Sequence, residues 1–276
     1  MQVGMLTAPF GGDDLETVVK FAKCAGFDSL ELAVGAKHCD VFSLDAGKVK
    51  AAVDEAGLKI SSLAMYGNIA DGDEVARKAN QDTLAKSLQV CSKLGVDVLC
   101  CGAGQPAAGM SREQSICEIA APFYKKFAKK AADKGIKLAM ENWFATNIQH
   151  LGLWDMIFDL VPDENFGLNF DPSHLYWQDI DYLYAVEKFA PRIFHTHAKD
   201  TEVLKHKKAY IGSQVGGWWR YVIPGFGDID WGVYIARLRA NGFNGVLSIE
   251  HEDGAVGREE GFRLGCNFLR GFADGS

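Results

Sequence analysis

Apolar positions along this chain alternate between two spacings. Leu15, Val18, Val19 and Ala22 recur at i, i+3, i+4 and i+7, as do Val49, Ala52, Val53 and Ala56, which is the spacing of one helix face. Leu84, Leu88 and Cys91 continue the theme, and so do Ile116, Ala120, Phe123 and Phe127. Between these stretches lie eight short, nearly continuous apolar runs: Val3–Leu6, Ser29–Ala33, Lys59–Met65, Asp97–Cys101, Ile136–Glu141, Phe166–Asp171, Arg192–Ala198 and Gly245–Glu250. Gly26, Gly57, Gly95, Gly135 and Gly242 each separate a helical pattern from an apolar run, where glycine ends a helix by turning left-handed. Pro162 and Pro191 do the stopping where glycine is missing. Eight alternating β and α units with strands apolar on both faces predict an α/β protein, a single (β/α)8 TIM barrel over residues 1–276. A doubly wound open sheet would want a glycine-rich fingerprint after its first strand. Pro9-Phe-Gly-Gly-Asp does not match G-x-G-x-x-G.

Four of the runs bring a side chain able to hold a cation to their carboxyl end: Glu141, Asp171 and Glu250 as the last residue, and His197 one residue before it. Parallel barrel strands point their carboxyl ends at one face, so these four are expected to form one site. Glu141 to Asp171 and Asp171 to His197 are 30 and 26 residues, one β/α unit each. The next interval, 53 residues, holds one unit plus a long insert. Three carboxylates and an imidazole make a hard, oxygen-rich set that predicts Mn²⁺, with Mg²⁺ or Co²⁺ behind it, rather than structural zinc. His195, two residues before His197, faces the same way and is expected behind the ligands. His174, three residues after Asp171, can swing back over the metal to touch a substrate oxygen. The insert, residues 200–230, carries Gly212, Gly216, Gly217, Gly225 and Gly227 with Trp218, Trp219 and Tyr221, and is expected to be a lid.

Composition narrows the class further. With 48% hydrophobic and 24% charged residues the chain reads as a soluble globular protein with a sizeable core. A net charge of -7, from 29 basic and 36 acidic residues, speaks against nucleic acid or an anionic membrane as partner. No apolar run approaches the roughly 20 residues of a membrane span. Seven cysteines without C-x-x-C do not make a disulfide framework, and Cys100-Cys101 reads as barrel wall. A cytoplasmic protein is expected, with self-association into a homo-oligomer left open.

Met140-Glu141-Asn142, Asn169-Phe-Asp171-Pro-Ser-His174, His195-Thr-His197-Ala-Lys-Asp200 and Pro224-Gly-Phe-Gly-Asp228-Ile-Asp230-Trp231 resemble the xylose-isomerase-like barrel superfamily, especially its sugar isomerase/epimerase branch with the ketose 3-epimerases. Gly26-Phe-Asp-Ser-Leu-Glu31-Leu is similar to that branch's second strand. The resemblance implies that Glu141, Asp171, His197 and Glu250 are metal ligands and that His174 contacts substrate. It also implies an arginine, matched by Arg220, that holds the sugar; Trp143 and Lys199 join the expected substrate-binding set. The implied activity is proton transfer between Glu141 and Glu250 on a ketose or keto-sugar through an enediolate, giving epimerisation or aldose–ketose isomerisation. The alternative is a keto-sugar dehydratase, a lyase like inosose dehydratase. A related nuclease branch needs histidines at the second and third strand ends, where this chain has Glu31-Leu-Ala-Val and Ala64-Met-Tyr-Gly.

Overall fold

In the computed structural model, which describes residues 1–273, the eight apolar runs form one closed barrel. Its strands are β1 (Gln2–Leu6), β2 (Ser29–Ala33), β3 (Lys59–Met65), β4 (Val98–Gly102), β5 (Lys137–Glu141), β6 (Phe166–Phe170) and β7 (Ile193–Ala198). The chain then makes a hairpin of β8 (Asp200–Val203) and β9 (Trp219–Val222) before the last barrel strand, β10 (Val246–Ile249). Every barrel pair is parallel, and β1 closes the ring on β10 with Gly4 opposite Ser248. Helices wrap the outside, so most strand residues are covered on both faces, which explains runs without polar alternation.

The expected punctuation operates. Gly26, Gly57, Gly95, Gly135 and Gly242 all adopt positive φ, between 68° and 85°. Asp14, Asp45, Asp73, Asp181 and Asp230 cap helices by accepting an amide hydrogen from the first turn. One helical pattern differs from its expectation. The stretch around Ile116–Ala120 widens into a π-turn before the helix Ala121–Ala132, whose second residue, Pro122, has no amide hydrogen to continue the earlier ladder. The added residue turns Tyr124 inward, buried, and leaves Phe123 only partly covered.

The insert is a built structure. Thr201 pairs with Tyr221 and Glu202 with Arg220 across the hairpin, and a short helix, Lys205–Ile211, joins its two strands. Asp200 anchors the root. Its carboxylate accepts amide hydrogens from Thr201 (2.8 Å), Gly225 (2.9 Å), Gly227 (3.2 Å) and Ile229 (3.1 Å), and the indole hydrogen of Trp231 (2.8 Å). A Cβ at Gly227 would overlap that carboxylate, so only glycine fits the close approach. Among the described residues no helix is long and apolar enough to cross a membrane.

Candidate active site

Side chains alternate along a strand, so β7 and the residue after it send His195, His197 and Lys199 into the barrel at rising levels. Asn169 and Asp171 follow the same rule along β6, and Ser248 and Glu250 along β10. Asn142 fixes the spacing at the carboxyl end. Its side chain bonds both backbone groups of Asp171, accepting from the amide (2.7 Å) and donating to the carbonyl (2.8 Å). Asp171 then accepts the amide hydrogen of Ser173 (2.8 Å), starting the single helical turn Ser173–Tyr176 that carries His174 over the site.

Glu141, Asp171, Glu250 and His174 each bring one ligand atom within 4.8 Å of the others, an arrangement able to hold a metal ion. His197 lies against the same group, its Nδ1 3.3 Å from Glu141 Oε1 and 3.1 Å from Glu250 Oε2. His174 points Nε2 at Glu141 Oε1 and Asp171 Oδ2, both at 3.4 Å, while its Nδ1 meets the Tyr221 hydroxyl at 2.6 Å. Lys199 is buried, with Nζ 2.5 Å from Glu250 Oε2, 3.3 Å from Asp171 Oδ2 and 3.4 Å from Glu252 Oε2. That ammonium also sits 4.5 Å from the centre of the Tyr221 ring. Asp171 Oδ2 is fully buried and makes no hydrogen bond, with the Lys199 ammonium at 3.3 Å and the His174 imidazole at 3.4 Å beside it. With two further carboxylates and two imidazoles around it, the donor set fits a divalent ion.

Charge is tightly paired here. Burial would raise the Glu141 carboxyl, but hydrogen bonds from His174 and His197 hold it well below the usual range. Glu250 is likewise opposed by burial and brought down to about 2 by the charges of Lys199 and His197. Burial disfavours the Lys199 and His197 cations, yet the surrounding carboxylates raise both well above their ordinary values.

The remaining expected residues sit farther out. Arg220 bonds Glu202 (2.6 Å) and Asp253 (3.0 Å), fastening the hairpin to the loop after β10. Trp143 is partly buried against Phe144, whose ring lies 6.0 Å from that of His174. Trp177 and Trp219 stack at 4.3 Å, and Trp177 donates its indole hydrogen to the Tyr221 hydroxyl (3.3 Å). Cys100 and Cys101 are buried wall, the Cys101 thiol pushed up to about 12 by burial. Four partners were not anticipated from sequence: Glu31 and Tyr66 below His197, Asn169 beside them, and Glu252 beside Lys199. Glu252 had a usable signal, since it follows Glu250 by two.

Comparison with known proteins agrees with this architecture. The chain is 26% identical to inosose dehydratase of Yersinia enterocolitica, covering 91% of this chain and 90% of that one. Its fold superposes on the IolI protein with a bound zinc atom at a TM-score of 0.79, with 18% identity over 99% and 98% of the two chains. L-ribulose 3-epimerase superposes at 0.75, with 17% identity over 99% and 94%. The family model described as xylose isomerase-like TIM barrel matches residues 19–272, and the chain belongs to that family.

Proposed function

We propose that this chain is a divalent-cation-dependent sugar isomerase or epimerase that moves a proton at the carbon beside the carbonyl of a ketose or keto-sugar. The observation that carries this reading is that Glu141 and Glu250, from different strands, converge on His197 Nδ1 at 3.3 Å and 3.1 Å beside Asp171 Oδ2, a buried oxygen that makes no hydrogen bond. In this reading Glu141, Asp171, His197 and Glu250 hold the cation, with Mn²⁺ the expected ion. When bound, such a cation polarises a carbonyl and stabilises the negative charge that develops on it. One glutamate takes the C–H proton, leaving its electron pair in the enediolate, and the other returns a proton to the opposite face. Return to the neighbouring carbon instead gives aldose–ketose isomerisation. His174, held by Tyr221, donates to a substrate oxygen, and Lys199 supports the charge that grows there. Trp143 and the hairpin's Arg220 belong to the substrate's outer surroundings, and the hairpin acts as the lid.

A second reading, keto-sugar dehydration, is favoured by the asymmetry between the two glutamates. Glu250 is bound by the Lys199 ammonium at 2.5 Å, whereas Glu141 faces two imidazoles. Here a carboxylate removes the proton beside the carbonyl, and hydroxide departs from the next carbon as water after taking a proton from Lys199 or His174. Similarity to an inosose dehydratase supports this alternative as much as the epimerase fold supports the first. The test is incubation of the Mn²⁺-loaded protein in D₂O with a panel of ketoses, ketose phosphates and keto-cyclitols, followed by NMR. Deuterium at the carbon beside the carbonyl with a new epimer or aldose supports the isomerase reading. Loss of water supports the lyase. Absence of both exchange and product across the panel overturns the proposal.

A further inference from the structure

We infer that Glu31 is the positioning residue for His197: it fixes the imidazole with Nε2 protonated, so that Nδ1 offers its lone pair to the space between Glu141 and Glu250. The inference rests on the reading that His197 is a cation ligand.

The observations come from beneath the site. Glu31 lies in the middle of β2 and is fully buried in the barrel interior. Its Oε1 accepts the Tyr66 hydroxyl hydrogen (2.8 Å), and its Oε2 accepts that of Ser248 (2.7 Å). Both oxygens lie 3.3 Å from His197 Nε2. An ionised carboxylate has only acceptor positions, so the nitrogen facing it must bring the proton. Tyr66 points to the same tautomer. Its one hydrogen goes to Glu31, and its oxygen accepts from Asn169 Nδ2 (2.9 Å), so at 3.1 Å from His197 Nε2 it can only accept again. Asn169 is itself oriented by His195, whose Nδ1 meets Asn169 Oδ1 at 2.9 Å. Both neighbours of Nε2 are therefore acceptors, and the proton is placed from below.

The other ring nitrogen then has a defined use. His197 Nδ1 faces Glu141 Oε1 and Glu250 Oε2, and a bare nitrogen between two carboxylates is favourable only around a cation. A carboxylate behind a ligating imidazole holds the ring's tautomer and angle and strengthens the nitrogen as a donor; its loss typically costs 10–100-fold in metal affinity. Packing alone does not account for Glu31, because an unpaired carboxylate is a costly group to bury.

The experiment uses the full chain stripped of metal by chelator. Mn²⁺ affinity is measured by titration calorimetry, and the His197 ring resonances are followed by ¹⁵N NMR with diamagnetic Zn²⁺ bound. In the unmodified chain the Nε2 hydrogen is expected to be far downfield and slow to exchange. Glu31→Gln keeps the shape but puts an amide donor among three donors. It should lower Mn²⁺ affinity 10–100-fold and move the Nε2 hydrogen upfield, with the circular dichroism of the native fold. Where Glu31→Gln does not fold, Glu31→Asp, which withdraws the carboxylate by one methylene, should shift both readouts in the same direction. Affinity within twofold of the unmodified chain and an unchanged Nε2 resonance in the folded variant would overturn the inference. His197→Ala separates the two levels. If His197→Ala binds Mn²⁺ normally, the ligand reading itself fails; if it loses Mn²⁺ while Glu31→Gln does not, only the role of Glu31 fails.

Discussion

Lys199 Nζ lies 2.5 Å from Glu250 Oε2, and this contact puts a buried ammonium among the carboxylates of the candidate site. Asp171 and Glu252 complete its surroundings at 3.3 Å and 3.4 Å. Removing one partner of a buried ion pair leaves the other charges uncompensated, at a cost of about 3–5 kcal/mol. Lys199→Met should therefore lower the melting temperature of the metal-free chain by several degrees, and saturating Mn²⁺ should recover most of the loss. Calorimetric scans with and without Mn²⁺ check this. Equal melting temperatures for the variant and the unmodified chain, both metal-free, would show that the lysine is not balancing the carboxylates.

Acid sensitivity follows from Glu31. In the metal-free chain, where His197 is a cation, burial would raise the Glu31 carboxyl, but the charge of His197 and hydrogen bonds from His197 and Ser248 bring it down to about 2 from an ordinary 4.5. A depressed acid stabilises the fold fully above its unfolded value, and the contribution is lost as pH falls through the folded one. Its size here is on the order of 3 kcal/mol. Urea midpoints measured at pH 6 and pH 3 should fall more for the unmodified chain than for Glu31→Gln. The same fall in both would assign the acid lability to other carboxyls.

The hairpin is expected to tighten over a bound sugar. Arg220 ties its second strand to Asp253 in the loop after β10, and the neighbouring Tyr221 ties the same strand to His174 in the site. Amide hydrogen exchange across residues 200–222 should slow when a turned-over keto-sugar is added. Arg220→Ala should speed exchange there without ligand and raise KM about tenfold, with kcat changed less. Its side chain is nearly half exposed, so little loss of stability is expected. Unchanged exchange at saturating ligand would make the hairpin a fixed part of the barrel rim.

Several of these parts were legible in the sequence for identifiable reasons. Barrel strands are covered on both sides, so their runs stand out as unbroken apolar segments, and a charged residue at the end of such a run is conspicuous. Glu141, Asp171 and Glu250 were visible in this way, and the structure brings them together with His174. Glu31 was not conspicuous because Ser29-Leu-Glu31-Leu-Ala33 also reads as a half-exposed strand with a polar face. Only barrel closure turns that face inward, against Ser248 some 217 residues later. The hairpin was hidden for a different reason: its strands have four residues each and pair across an intervening helix, leaving no short turn to read. Its glycines marked irregular backbone, but the role of Gly227 depends on Asp200, whose five hydrogen bonds reach residues 201 to 231.

Proton exchange by Glu141 and Glu250 with opposite faces of one carbon is tested most directly by wash-in of solvent deuterium. Glu141→Gln and Glu250→Gln keep the side-chain shape and an oxygen ligand but cannot take a proton. With metal content confirmed equal, each epimer of the accepted sugar is followed in D₂O by NMR with each variant. Net epimerisation should fall by about 10²–10⁴ in both variants. Each should still exchange the epimer served by its remaining glutamate, with the preference reversed between the two. Full epimerisation by either variant would contradict the account.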